Sequence, residues 1–237
     1  MSRNIEFAPG EFYHIYNRGT EKRDIFLSDR DYERFLALLY TCNADNPVDL
    51  KLQGSTLYEI LDVNRGQGML NICAYALMPN HFHLLVRSNN DGDVSKFMQK
   101  ISTGYTMYFN TRQERSGALF QGRFKARHAN TDAYLAYLIA YIHLNPIKLI
   151  DADWKERGIT DKNKAEDFLR KYRWSSYQDY LRVGRPEQAI ISKNALPEYW
   201  NTPHSFDMFV TNWLEHESES IPTQTATLSE KSTAALV

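Results

Sequence analysis

Two apolar runs, residues 72–77 and 82–86, are separated by Met78-Pro79-Asn80-His81. The pattern predicts two strands, 70–77 and 81–88, joined by a tight Pro-Asn turn. Successive strand side chains alternate between faces. His81 and His83 therefore project together, and Phe82 points the other way into a core. Upstream, residues 12–17 (Phe-Tyr-His-Ile-Tyr-Asn) are aromatic and β-branched between Pro9-Gly10 and Gly19, and predict a first strand. Tyr32, Phe35, Leu36, Leu39 and Tyr40 recur at helical spacing, predicting a helix over 31–42 capped by Ser28 or Asp29. Residues 57–63 fit a short helix or an edge strand. A stripe of Phe97, Met98, Ile101, Tyr105, Tyr108 and Phe109 predicts a long helix over 94–113. A strand from about residue 124 to 129 follows, then a helix over 132–144 capped by Thr131 or Asp132. Pro146 is expected to end that helix by forcing Asn145 out of helical geometry.

The order is β-α-β-β-α-β-α, an α+β pattern. Its first six elements match a ferredoxin-like split βαβ fold, an antiparallel sheet with helices on one face; the seventh is an addition near the sheet. After Pro146 the pattern changes. Residues 155–171 are charged and contain a short helix, Trp174-Ser175-Ser176-Tyr177 opens another motif, and a last helix is expected over 206–215. Residues 217–237 are rich in Ser, Thr and Ala and are expected to be mobile. The expected divisions are a domain over 5–150, a helical extension over 151–216 and a tail over 217–237.

Composition adds little to this picture: 237 residues, 43% apolar, suit one ordinary globular domain with additions. The two cysteines, Cys42 and Cys73, form no Cys-x-x-Cys pair and read as buried thiols in a reduced, cytoplasmic setting. No run of 18 apolar residues exists and residues 1–6 carry no apolar leader core, so membrane and secretory readings are poor. Formal net charge is −1, which announces no nucleic-acid partner by itself. Charge placement does: Arg112, Arg115, Arg123, Lys125 and Arg127 face only Glu114 between residues 112 and 127, with Phe120 and Phe124 interleaved. That is the footprint of a phosphate backbone, against a plain solvated loop and strand edge. Arg18, in the loop after the first strand, joins this set.

Two chemistries suggest themselves. His81 and His83 fit either a shared divalent metal or a half-buried surface pair. Among fifteen tyrosines, only some can meet a ligand-capable side chain at i+4, where helix neighbours touch. Tyr141 has Asn145 there, whose amide oxygen binds hard divalent ions. Tyr141 is the best candidate nucleophile by spacing. Spacing alone nevertheless favours a core role for it among Leu135, Leu138, Ile139 and Ile142.

Five motifs change that balance: Tyr13-His14-Ile15-Tyr16-Asn17-Arg18-Gly19, Met78-Pro79-Asn80-His81-Phe82-His83-Leu84, Tyr105-Thr106-Met107-Tyr108-Phe109-Asn110, Leu119-Phe120-Gln121-Gly122-Arg123-Phe124-Lys125, and Tyr141-Ile142-His143-Leu144-Asn145-Pro146. Together, and with Trp174-Ser175-Ser176-Tyr177 behind them, they resemble the single-tyrosine transposases of the HUH endonuclease superfamily, most closely the REP-associated tyrosine transposases. The resemblance covers about residues 5–182. It implies the HUH fold, with His81 and His83 binding Mg²⁺ or Mn²⁺, Asn145 as third ligand and Tyr141 as nucleophile. It further implies a 5′-phosphotyrosine intermediate, a free 3′-hydroxyl, and a single-stranded or hairpin DNA substrate held by Arg18, Arg112, Arg115, Arg123, Lys125 and Arg127. The expected state is monomer or homodimer. Two rivals remain at this stage: a hairpin-binding module that does not cut, and a metal-dependent phosphodiesterase that uses water.

Overall fold

The computed structural model describes residues 6–44, 56–181 and 184–216. The expected tail over 217–237 lies outside them. Four strands, β1 (Phe12–Arg18), β2 (Leu70–Met78), β3 (His81–Ser88) and β4 (Lys125–His128), form one antiparallel sheet in the order β2-β3-β1-β4. This is the split βαβ arrangement expected from the pattern. Helices α1 (Asp29–Thr41), α2 (Leu57–Asp62), α3 (Asp93–Arg112) and α4 (Asp132–Leu144) fall within about two residues of their predicted limits. Residues 57–63 thus resolve as helix, started by a Thr56–Glu59 capping box.

The two sheet faces are buried differently. Tyr13, Ile15, Tyr75, Leu77, Phe82, Leu84 and Val86 pack under α1 and α3 in one core. Ala74, Ala76 and Leu85 pack under α4 on the opposite face. Two alanines on β2 leave room for α4 to approach, and α4 covers the β2–β3 half of that face. Asp31, fully buried, joins α1 to α3. One carboxylate oxygen accepts from the Leu27 and Ser28 N–H groups at 2.9 and 3.0 Å. The other accepts from Arg112 at 2.8 Å and from the Tyr108 hydroxyl at 2.9 Å.

One expectation fails. Asn145 keeps helical geometry (φ −52°, ψ −39°), its N–H still bonds Tyr141 O, and the chain runs on as a 3₁₀ turn over Asn145–Leu149. Pro146 sits in the first turn, where a missing N–H leaves no bond unmade. Burial of Ile147 against the second core holds the continuation in place.

The extension contains α5 (Trp154–Arg157), α6 (Lys162–Lys171), α7 (Tyr177–Tyr180) and α8 (Pro203–His216). It completes the α4 core with Trp154, Leu169, Tyr177, Tyr180, Phe206 and Val210. It also closes the β2 edge. Leu77 N–H donates to Trp174 O and Ser176 N–H to Tyr75 O, both at 2.9 Å, with an antiparallel bridge between Ala76 and Ser175. Edge backbone groups that would otherwise template aggregation are paired. Behind this edge the buried Asp179 accepts two bonds from Arg185, at 2.8 and 2.7 Å. Asp179→Ala strands that guanidinium and is expected to destabilise the chain by about 3–5 kcal/mol, read as a drop in the urea midpoint.

Candidate nucleic-acid interface and metal centre

The Pro79–Asn80 turn carries His81, and its backbone is held from outside. Ile25 and Phe26 N–H groups both donate to Pro79 O, at 2.7 and 3.0 Å, and Gly19 N–H donates to Asn80 O at 2.9 Å. Gly19 has no room for a side chain, since a Cβ there would lie 2.2 Å from Arg23 O. The histidines converge as expected, with ring centroids 5.0 Å apart and planes nearly perpendicular. Phe82 points into the opposite core.

Cross-strand register sets the neighbours of that pair. Arg18 lies opposite His81, Tyr16 opposite His83 and His14 opposite Leu85, all on the α4 side. On the other flank of β1, Tyr16 faces Lys125 and His14 faces Arg127. His14 Nε2 and His83 Nδ1 are 2.8 Å apart, a hydrogen bond between two buried imidazoles. The Tyr141 ring, half-buried on α4, stands edge-on to both, at 5.6 Å from His83 and 5.8 Å from His14. One helical turn further, buried Asn145 reaches the imidazole of His81. Nucleophile candidate and ligand candidates are thus brought together within one chain.

Burial keeps the imidazoles neutral. It pushes His81 down to about 4; the Asn145 hydrogen bond opposes this, while Lys148 and Arg18 add to it. His83 is held well below the ordinary histidine range by burial first, then by His14, His81, Lys155 and Lys148. His14 falls to about 3 through burial and the nearby Arg127. Neutral imidazole is the form that ligates a cation. Nδ1 of His83 is engaged by His14, and Nδ1 of His81 donates to Asn80 Oδ1 at 2.6 Å. That leaves Nε2 of His81 with a lone pair; Nε2 of His83 has one when its Nδ1 is the donor to His14. Asn145 Nδ2 is buried without a hydrogen-bond partner. Its oxygen is therefore the atom turned toward His81, where a cation would meet it. Two neutral imidazoles and an amide oxygen can together hold a divalent cation, so these residues fit one. Among the described residues, no three His, Cys, Asp or Glu side chains form an alternative cluster.

Beside the histidines opens a cavity of about 360 Å³, lined among others by Tyr16, Arg18, Lys22, Asn80, Gln121 and Lys125. It lies toward the β1–β4 half of the face that α4 leaves uncovered. The basic residues picked out in the sequence divide here. Arg18 and Lys125 line the cavity, and exposed Arg127 on β4 stands opposite His14 at its margin. Arg123 is exposed in the turn before β4. Arg112 is bound to Asp31 on the far side of the sheet, and Arg115 closes the end of α3 through Asn110 and Ala118 O. The structure does not bring those two to the cavity.

The model of the family described as "Transposase IS200 like" matches residues 13–145. The chain belongs to the IS200-like transposase family. The matched segment runs from Tyr13, beside His14, to Asn145 and includes His14, His81, His83, Tyr141 and Asn145. Among curated proteins, none matches. A solved structure of a REP-associated tyrosine transposase bound to a REP hairpin is similar over 85% of this chain and 90% of that one, at 14% identity and a TM-score of 0.48. No helix among the described residues is long and apolar enough to cross a membrane.

Sequence reasoning on this IS200-like chain missed three contributors. His14 was quoted within a motif but given no role, although the split βαβ order places β1 beside β3. Lys148 and Lys155 stand after the matched segment, where no periodicity marks them. Lys155 Nζ lies 4.0 Å from the centre of the Tyr141 ring.

Proposed function

We propose that this IS200-like transposase nicks and rejoins single-stranded or hairpin DNA through a covalent tyrosine–phosphate link. The observation that carries the reading is the meeting of Tyr141, His81, His83 and Asn145 at one end of a cation-lined cavity. A divalent ion bound there would polarise the scissile phosphate and offset charge in the transition state. His81, His83 and Asn145 are its holders, and His14 orients His83. The phenolic oxygen of Tyr141 attacks phosphorus. A P–O(Tyr) bond forms as the P–O3′ bond breaks, the phenol gives its proton to solvent and O3′ takes one up. The diester is conserved in number, so rejoining needs no external energy source. Arg18, Lys125 and Arg127 hold flanking phosphates, with Arg123 at the entrance and Arg112 and Arg115 outside the first contact set. Tyr16, on the cavity floor, offers a face for base stacking. Because Tyr141 rests against His83 of its own chain, a monomer contains a complete site.

The experiment is incubation with a labelled hairpin DNA and Mn²⁺, read on a denaturing gel with mass spectrometry of any adduct. An adduct on Tyr141 is expected. Binding without an adduct would instead establish a non-cutting hairpin-binding module, and cleavage without an adduct would make water the nucleophile. Arg18→Ala with Lys125→Ala is expected to weaken DNA binding and to flatten the log K against log[salt] slope by about 0.7 per lost contact with single strands. An unchanged slope removes these two residues from the DNA path.

A further inference from the structure

Among the described residues, the charge lining the site is one-sided. The donor set carries no charge to offset a cation's: two imidazoles, which ligate in the neutral form, and one carboxamide. The charged side chains that act on His81 are Lys148 and Arg18, and on His83 Lys155 and Lys148, all cations. The adjoining cavity adds Lys22 and Lys125 and has no carboxylate in its lining. Most divalent-ion sites built by proteins include at least one carboxylate, which offsets the ion's charge. Among the described residues, the cavity lining supplies none. A phosphate is the group that would.

The two lysines come from outside the segment shared with the family. Lys148 rides the 3₁₀ turn that continues α4 past Asn145. Lys155 sits on α5, beside buried Trp154, with its ammonium over the face of the Tyr141 ring. An amine over the ring face is not placed to take the hydroxyl proton. It is placed to meet an oxygen of a phosphate that approaches the phenol.

We infer that this site takes up its divalent ion and a DNA phosphate as a unit, with Lys148 and Lys155 opposing the ion when it comes alone and holding the phosphate when both are present. The inference rests on the proposed metal-assisted reading and deepens it. Its consequence is control: a protein away from DNA carries little metal, and the site becomes competent only on a strand. Linkage requires the effect to be reciprocal, so the metal tightens DNA by the factor by which DNA tightens the metal.

The test uses the full chain with Tyr141→Phe, which prevents turnover, at low ionic strength where phosphate contacts alone drive binding. Free Mn²⁺ is followed by electron paramagnetic resonance, with and without a DNA hairpin bearing an oligothymidine flank. At least about tenfold tighter Mn²⁺ binding with DNA is expected, and an equal gain in DNA affinity with Mn²⁺. Lys148→Gln with Lys155→Gln is expected to tighten Mn²⁺ in the absence of DNA and to shrink the coupling. Lys→Arg at both positions is expected to restore the coupling. A purely structural role for these lysines predicts the opposite sign for the Gln pair, weaker metal. Equal Mn²⁺ affinity with and without DNA overturns the inference and leaves the proposed reaction standing. No Mn²⁺ uptake in either condition, or no DNA binding, overturns both.

Discussion

Replacing Tyr141 by Phe is expected to abolish covalent attachment to DNA while hairpin binding stays within about twofold. The substitution deletes one oxygen. The ring, its edge contacts with His14 and His83, its packing on Tyr137 and the Lys155 ammonium above it all remain. The fold should therefore change little, within the roughly 0.5 kcal/mol typical of substitutions away from core features. Cleavage should fall to background, because no other tyrosine on α4 meets the histidine pair; Tyr137 and Tyr134 lie one and two turns back and pack on each other. The comparison that matters is between adduct yield and binding affinity on one hairpin. Retained cleavage with Phe at 141 would remove this residue as nucleophile and point to water. Lost binding would show instead that the ring is needed to shape the cavity.

Much of this site could be read along the chain because its parts are local. His81 and His83 are two apart on a strand, and Tyr141 and Asn145 are four apart on a helix, so each pair follows from one period. Their meeting is not local. It depends on β3 lying beside β1 in the sheet and on α4 crossing the face opposite to α1 and α3. The sheet order was legible through the order of elements, yet the face chosen by the last helix was not. It is set by Ala74 and Ala76 on β2 and by the extension packing behind α4. The same non-locality hid His14, whose role exists only through register with β3. The basic cluster shows the reverse error of emphasis. Counting cations along residues 112–127 joined side chains that the sheet separates, since Arg112 answers a buried carboxylate that the sequence does not announce. Pro146 misled for a third reason: its local preference against a helical predecessor was weaker than the burial of Asn145 and Ile147.

Acid should unfold this protein over a narrow range, starting well above the carboxylate titrations. His14 and His143 are both buried and both pushed down to about 3, mainly by burial, and His83 lies well below its ordinary range. In the unfolded chain each takes a proton near 6.5. Between that value and the folded one the unfolded state binds more protons, so stability rises with pH and is lost as pH falls. Each such histidine contributes up to about 1.4 kcal/mol per pH unit below roughly 6.5. Three together would consume most of a typical stability of about 5–15 kcal/mol within about two units. Urea unfolding from pH 7.5 to 4.5 reads the slope. His143 is the clean probe because its ring faces Tyr177, Tyr180 and Phe206 on the other side of α4: its Nδ1–H donates to Ile139 O and its Nε2 accepts from the Ser176 hydroxyl, each at 2.8 Å. His143→Gln should lower stability at neutral pH and flatten the acid slope by about one histidine's share. A stability curve that is flat from pH 6.5 to 5 would mean that these imidazoles are protonated in place, which the buried pair His14–His83 could not accommodate without parting. That parting would release the orientation of His83, so in that case Mn²⁺ uptake should be lost before any fall in stability.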